Sequence, residues 1–334
     1  MPDTGYPARI VLLAGGVGGA RMALGLNAEL AAGSLSIVAN IGDDEDFYGL
    51  RVCPDLDTLL YTLSGKVDPT QGWGVEGDTT RALGVLGELG APVWMKLGDA
   101  DMGLHVWRTW RLALGESLTS VMAEASARFG VPGYLLPACD APVPTEIVCD
   151  EGPLRFQQWF VAHRAAPPVR EVRYCGAEDR CATPEVLRAI EQADLIVIAP
   201  SNPLLSIEPM LALGGLREAL QTSGAPCVAV SPLIGGKAVK GPLDRMLDDM
   251  GLPGGNAGIA ERYEGLLHGL VIHTDDAADS AGLQARGLAV LSAETRISSC
   301  PASVRLARTL LAWVRDGLPA RQSIHGEMQK EVTI

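Results

Sequence analysis

Four aspartates, Asp43, Asp44, Asp55 and Asp57, fall close together in a chain that is already acidic, with a formal net charge of −13. Carboxylates crowded in this way repel one another unless a cation stands among them, and hard oxygen donors suit Mg²⁺. The bland reading of Asp55 and Asp57 is as capping carboxylates in the first turn of a helix. Upstream lies Gly15-Gly16-Val17-Gly18-Gly19-Ala20-Arg21, where glycines remove Cβ atoms at a sharp turn. Free N–H groups at the helix start that follows favour an anion, most naturally a phosphate. The turn lacks the third glycine of the dinucleotide fingerprint, because Arg21 stands there, and the chain contains no Walker A loop. Read by itself, it is a phosphate turn or a tight turn with no ligand. Farther on, Ser201-Asn202-Pro203 and Gly235-Gly236-Lys237, with Lys240, offer N–H, amide and ammonium groups for the same anion. Either lysine alone reads equally as a surface charge.

The elements that must position these groups alternate as strand and helix. Ile10 to Ala14 is a short apolar run stopped by glycine, as in a buried parallel strand. Leu35 to Asn40, Asp194 to Ala199, Ala225 to Val230, Leu266 to His273 and Gly287 to Leu291 repeat the pattern. Each candidate cluster follows such a strand, where open parallel sheets keep their ligand crevice. Pro184 to Gln192, with Thr183 as N-cap, and Val304 to Val314 read as helices. The fold expected is α/β, a Rossmann-like, doubly wound, mainly parallel sheet. Between 65 and 180 the alternation lapses, so this stretch is expected to form an inserted α+β subdomain on a core of 1–64 and 181–318. The polar tail 319–334 is expected to be loose. Inside the insertion, Pro92 to Leu97, Leu154 to Ala162 and Val169 to Cys175 are expected as strands, and Tyr134 to Val148 as loop and edge strand. Residues 102–130 are expected to be helical, with His105, Arg108 and Arg111 forming either a solvated face or a cover that brings arginines to phosphates.

Composition narrows the class. The chain has 334 residues, 47% hydrophobic and 20% charged, which suits a folded globular protein rather than a disordered one. Its acidity argues against sequence-independent nucleic-acid binding. Seven scattered cysteines without a C-x-x-C pair point to reduced thiols and a cytoplasmic location. The five histidines show no zinc spacing, and no apolar run is long enough for a membrane span.

Taken together, these segments resemble the 2-phospho-L-lactate transferase family of coenzyme F420 biosynthesis. The resemblance runs through the glycine turn, Asn40-Ile41-Gly42-Asp43-Asp44, Pro54-Asp55-Leu56-Asp57-Thr58 and Trp73-Gly74-Val75-Glu76-Gly77-Asp78-Thr79. It continues with Leu97-Gly98-Asp99-Ala100-Asp101, Ser201-Asn202-Pro203, Ser206-Ile207 and Ile234-Gly235-Gly236-Lys237 to Pro242. It implies transfer of a phospho-three-carbon-acid unit (lactate, enolpyruvate or glycerate) from a guanosine diphosphate-linked donor to the ribityl hydroxyl of 8-hydroxy-5-deazaflavin (Fo). GMP leaves and Mg²⁺ is required; a homodimer is implied as well. On this reading Gly16, Val17, Gly18, Gly19, Asn40, Ser201, Asn202, Pro203, Gly235, Gly236, Lys237 and Lys240 hold the donor, while Asp57 and Lys96 contact the deazaflavin. Asp43, Asp44 and Asp55 are the metal candidates, and Asp43, Asp44 and Asp57 the candidates to orient or deprotonate the attacking hydroxyl. Asp57→Ala is expected to abolish transfer and leave the fold intact. Cys139-Asp140-Ala141 departs from the acidic run the family often carries there, so that loop receives no metal role. The competing class is a non-catalytic nucleotide or nucleotide-sugar sensor on the same fold. A dehydrogenase is disfavoured by Arg21.

Overall fold

The computed structural model describes residues 6–318, so the tail expected to be loose lies outside the described residues. Its strands are β1 (Ile10–Ala14), β2 (Leu35–Ala39), β3 (Glu45–Phe47), β4 (Leu50–Val52), β5 (Tyr134–Pro137), β6 (Thr145–Cys149) and β7 (Gly152–Arg155). They continue as β8 (Glu171–Tyr174), β9 (Leu195–Ile198), β10 (Cys227–Val230), β11 (Leu233–Ile234), β12 (Lys237–Ala238), β13 (Gly269–His273) and β14 (Ala289–Ala293). Seven of them form one sheet in the order β14-β13-β10-β9-β1-β2-β5, and every pairing in it is parallel.

The sheet is doubly wound because its strands are apolar on both faces. Along β1, Ile10, Leu12 and Ala14 enter one core, while Val11 and Leu13 enter the other. The first core is covered by helices α1 (Gly16–Glu29), α2 (Pro54–Leu63) and Cys300–Arg315. Chain order reverses at β1, which sends β2 to one side and β9 to the other. A crevice opens at such a switch point beyond the carboxyl ends of the strands. The Rossmann-like architecture expected from the sequence is the one observed.

Helix α3 (Arg81–Glu88), α4 (Asp99–Ala113) and α5 (Leu118–Arg128) follow α2. The helical run expected over 102–130 is thus two helices, separated at Gly115, whose φ is +88°. Pro92 to Leu97 is not a strand. Its apolar side chains cover the β3–β4 hairpin instead: Leu97 packs with Phe47 and Val52, and Trp94 meets Phe47 edge-on at 5.5 Å. Leu154 to Ala162 leaves the strand after Arg155 and coils. Coiling gathers Phe156, Trp159 and Phe160, with Phe156 stacked on Phe160 and the Trp159 indole N–H donating to the Pro167 carbonyl at 2.9 Å. The stretch 65–180 is divided as well, since β5 inside it pairs with β2 as an edge of the main sheet. What stands apart is a helical layer over 81–128 and an antiparallel sheet β7-β6-β8. Helix α6 (Pro184–Glu191) starts as expected, with the Thr183 hydroxyl accepting from the Val186 N–H at 3.3 Å.

Helix α1 approaches the helix Cys300–Arg315 most closely at Gly25, where an added Cβ would strike the Ser303 carbonyl. Because that neighbour is backbone, it cannot rotate away. Gly25→Ala is expected to cost about 1–3 kcal/mol, seen as a melting midpoint several degrees lower; an unchanged midpoint would show that the two helices separate freely.

Candidate functional site

The glycine turn lies in the crevice, held from beneath. The Ser201 hydroxyl donates to the Gly15 carbonyl at 2.7 Å and accepts from its N–H at 3.3 Å. The Gly16 N–H donates to Asp55 Oδ1 at 2.6 Å. A side chain at Gly15 would meet Asp55 Oδ2 at 2.5 Å, and one at Gly18 would meet the Pro200 carbonyl at 2.5 Å. These glycines therefore let β1, β9 and the acid cluster close on one another. The next N–H groups, of Val17 and Gly18, belong to the first turn of α1, where no preceding carbonyl is available within the helix, whereas the Gly19 N–H falls four residues after the N-cap Gly15 and closes the first helical turn. Asn202 turns its side-chain oxygen onto the N–H groups of Leu204 and Leu205, at 3.0 and 3.3 Å, and so fixes the wall formed by Pro203–Ile207. Ser201 and Asn202, expected as donor contacts, use these side-chain atoms to build the crevice.

Asn40 organises the acids. It is fully buried at the end of β2, and its amide N–H₂ faces Asp55 Oδ2 at 3.0 Å, the Leu205 carbonyl at 3.1 Å and Asp43 Oδ1 at 3.3 Å. Asp43 and Asp55 thereby converge. Burial pushes Asp55 up to about 6, against the hydrogen bonds from Asn40 and Gly16 and with the charge of Asp57 adding to the rise. Burial also raises Asp43, helped by the charges of Asp55 and Asp44. Asp44 is pushed up to about 8 by burial, despite Cys53 and the charge of Arg108, and its Oδ1 has no hydrogen-bond partner. Two converging carboxylates whose protons are held by burial and mutual repulsion fit a hard divalent cation. Of the three metal candidates, Asp43 and Asp55 share this bridge, whereas Asp44 faces Cys53 and the arginines.

Asp57 belongs to a second, deeper group. Arg108 is fully buried and donates through both terminal nitrogens to the Asp57 carboxylate and also, at 3.2 Å, to the Arg51 carbonyl. Burial alone would lower Arg108, but Asp57, through its charge and its hydrogen bond, together with the neighbouring Cys53 and Asp44, outweighs it and keeps the guanidinium ionised. His105, equally buried, lies between Asp57 (3.6 Å) and Asp101 (3.4 Å). The Tyr61 hydroxyl donates to Asp101 at 2.7 Å. Burial works to raise Asp101, but His105, the Tyr61 hydroxyl and the charge of Arg108 together overcome it, and its carboxyl stays below the usual range. Asp57, Asp101 and His105 bring one ligand atom each within 4.8 Å of one another, a set with the donor types of a metal site, although Arg108 already neutralises Asp57.

This overturns both readings of the helix face: His105 and Arg108 point into the protein, while Val106 and Trp110 face solvent. The missed signal was the spacing of Asp101, His105 and Arg108, which lie on one face of a helix. The expectation that Asp57→Ala leaves the fold intact also falls, because it would strand a buried guanidinium.

Beside this group, Trp73, Asp78, Lys96, Gly98 and Asp101 line a cleft of about 110 Å³, with the Lys96 ammonium 6.0 Å from the centre of the Trp73 ring. The loop that carries Trp73 rests on α1, where a side chain at Gly72 would meet Val17 at 2.8 Å. Gly235 and Gly236 are the positive-φ pair of a two-residue hairpin joining β11 to β12. The Gly235 N–H donates to Asp276 at 3.1 Å, and Lys237 and Lys240 are exposed. The structure thus brings 16–19, 40, 43, 55 and 201–203 together and sets 235–240 farther along the same edge of the sheet.

Fold and crevice define a doubly wound α/β protein with a glycine turn at a helix start beside a carboxylate cluster. A family model described as 2-phospho-L-lactate transferase CofD matches residues 10–295. The phosphoenolpyruvate transferase of Mycobacterium avium is 39% identical over 314 residues, covering 85% of this chain and 93% of the relative. That of Mycolicibacterium smegmatis is 37% identical over 304 residues, with the same shares covered. A crystal structure of a UPF0052 family member from Bacillus halodurans aligns with a TM-score of 0.59 over 91% of this chain and 98% of that one; at 17% identity the likeness is one of fold. The chain belongs to the CofD family of transferases of coenzyme F420 biosynthesis.

Two predictions follow from the acids. Asp55 and Asp44 release their protons in the folded state near 6 and 8, against about 4 when unfolded. At these two carboxyls the folded state therefore binds more protons across that window, so the stability they contribute is full below about pH 4 and falls as pH rises through 6 and then 8. In chelator, melting should drop between pH 5 and pH 8, added Mg²⁺ should offset part of the loss, and Asp44→Asn should flatten the upper part of the slope. Arg108→Ala should cost about 3–5 kcal/mol by leaving Asp57 buried and unpaired, measured by denaturant unfolding; a loss below about 1 kcal/mol, the range of exposed pairs, would mean that water reaches the pair.

Proposed function

We propose that the protein transfers a phosphoenolpyruvate unit from a guanosine diphosphate-linked donor to the ribityl hydroxyl of Fo, forming a phosphodiester and releasing GMP. The observation that carries this reading is the contact of the Trp73 loop with the first turn of α1, which sets an aromatic cleft against a phosphate turn at the edge of the acid cluster. The three-carbon acid is taken from relatives named phosphoenolpyruvate transferase at 37–39% identity.

In this reading the N–H groups of Val17 and Gly18 hold the donor phosphates, and Gly19, where a Cβ would meet Ser201 Oγ at 3.1 Å, lets the turn pack close. Asp43 and Asp55 would hold Mg²⁺, which supplies positive charge against the phosphates when bound. The deazaflavin ring lies against Trp73 and Lys96. Asp101, on the wall of that cleft and backed by His105 and Tyr61, is placed to accept a hydrogen bond from the acceptor's hydroxyls. Asp57 acts through its pairing with Arg108 and His105, fixing α4 and the face it presents. Attack on phosphorus asks for positioning and charge balance above all, and these residues supply both. The protein is proposed to work in the cytoplasm, as a homodimer.

The test is a chromatographic assay with purified protein, Mg²⁺, Fo and guanosine diphosphate-linked enolpyruvate, lactate or glycerate. The expected result is a fluorescent, more anionic product from the enolpyruvate donor with one GMP per product. Product from another donor would change the acid and keep the reaction. No product together with no binding of Fo would overturn the transfer and favour a nucleotide sensor.

A further inference from the structure

The β3–β4 hairpin turns through Tyr48 and Gly49, with Phe47 and Leu50 paired across its end. Both turn residues have positive φ, +54° and +79°. This is the backbone of a type I′ turn, which favours Asn or Asp followed by Gly. Tyrosine is out of place there, because in the left-handed region its Cβ crowds the carbonyl oxygen that follows, and a bulky residue seldom adopts it. Such strain persists only where surrounding contacts hold it. Here the contact is the phenol, which donates to the Pro92 carbonyl at 2.5 Å. Among the described residues this is the only hydrogen bond to the backbone of 92–97. Side chains alone hold the segment otherwise, with Trp94 edge-on to Phe47 and Leu97 packed with Phe47 and Val52. The same segment carries Lys96, whose ammonium stands over the Trp73 ring in the cleft between them.

We propose that Tyr48 is a positioning residue for the acceptor: its hydroxyl fixes the 92–97 segment, and through it the place of Lys96 against Trp73. The inference rests on the deazaflavin cleft proposed above. The hairpin suits this task because its second strand is bolted to α4. The Arg51 N–H donates to Thr109 Oγ1 at 2.8 Å, and the Arg51 carbonyl accepts from Arg108 at 3.2 Å. Across the hairpin, the Arg51 side chain donates to Asp46 at 2.6 Å. Asp101, on the same helix, lines the cleft together with Lys96. Helix α4 thus sets one wall, and the hairpin tip carries that reference to the other. A lysine charge rides on a flexible four-carbon stem, so where its backbone is held decides where the charge can act. Without the phenol bond the segment has no polar tie, and the cost of ordering Lys96 falls on acceptor binding. An asparagine would satisfy the turn but is too short to reach Pro92. The chain keeps the residue that reaches over the one that fits.

The test is titration of Fo into the full chain with Mg²⁺, followed by the deazaflavin's own fluorescence, beside thermal melting and turnover. Tyr48→Phe keeps the ring and the strain and removes the bond. It should weaken Fo by about three- to tenfold, the range of one hydrogen bond, and leave the KM for the guanosine diphosphate-linked donor unchanged. Tyr48→Asn should weaken Fo to the same extent yet melt at a higher temperature than Tyr48→Phe, because the turn is relieved. A loss of affinity through general destabilisation would not come with that gain. Lys96→Met should weaken Fo by itself, and adding Tyr48→Phe to it should change little more, since the two act in series. Unchanged Fo affinity in Tyr48→Phe, or a loss that adds in full to that of Lys96→Met, would overturn the positioning role and leave the acceptor cleft standing. A wild type that binds no Fo would overturn the acceptor reading, and this role with it.

Discussion

Negative charge taken out of water is the condition to which the rest of this structure answers. Asp44, Asp55 and Asp57 are each less than a tenth exposed, and Asp43 is half-buried next to them. A buried carboxylate is tolerable only if it is paired, hydrogen-bonded or protonated. The protein uses all three means within one crevice. Asp57 receives a two-pronged guanidinium, Asp55 receives the Asn40 amide and the Gly16 N–H, and Asp44 has its proton held by burial to about pH 8. The sites that remain short of positive charge are Asp43 and Asp55, the two that Asn40 draws together. Charge balance thus marks where a cation belongs more sharply than the count of acids does.

Helix α4 carries the largest share of that balance. Its first-turn Asp101, then His105 and Arg108, form a polar stripe that would normally lie in water. Here the stripe faces inward because Asp57 needs a partner and the β3–β4 hairpin closes over Arg108 through the Arg51 carbonyl, while Val106 and Trp110 stay exposed on the opposite face. A buried ion pair of this kind is a weak contribution to net stability, since desolvation consumes most of the attraction. Its physical effect is on geometry: two donors and two acceptors admit one arrangement, and the arrangement ties α4 to α2. The cleft between Trp73 and Asp101 is therefore set by the same pair that neutralises Asp57.

The core of the fold was legible because its strands are apolar on both faces, and a run such as Asp194 to Ala199 has few other ways to be buried. The glycine turn and the convergence of acids at the strand ends were legible for a related reason, since topology places strand ends together. The layer over 65–180 was less so. Pro92 to Leu97 has the apolar composition of a strand, but tertiary packing onto Phe47 and Val52 uses those side chains, and no partner strand is offered. Leu154 to Ala162 alternates well enough for a strand, yet coiling after Arg155 buries Trp159 and stacks Phe156 on Phe160. Arg108 was the hardest residue to place. A single charged residue in an amphipathic helix points to water by default, and only the position of Asp57 across the fold reverses it. Gly235 and Gly236 carry a different lesson: their glycines are demanded by the hairpin turn itself, so their presence says nothing of a ligand unless Lys237 does.

On the function proposed here, these features explain how so acidic a chain would serve anionic substrates. Of the arginines around the crevice, Arg108 and Arg51 are spent on Asp57 and Asp46, and Arg21 donates to the Ile297 carbonyl. Positive potential is supplied instead by groups with no counterion to lose, the N–H groups at the start of α1, and by a cation that the uncompensated pair Asp43 and Asp55 would recruit. In the proposed reading such an arrangement would make phosphate affinity conditional on the metal, because without it the donor's charges would meet two carboxylates. An arginine-lined crevice would bind phosphate whether or not the metal had arrived. Here binding and assembly of the charge-balanced site become one event, as expected when local neutrality, more than net charge, governs the crevice.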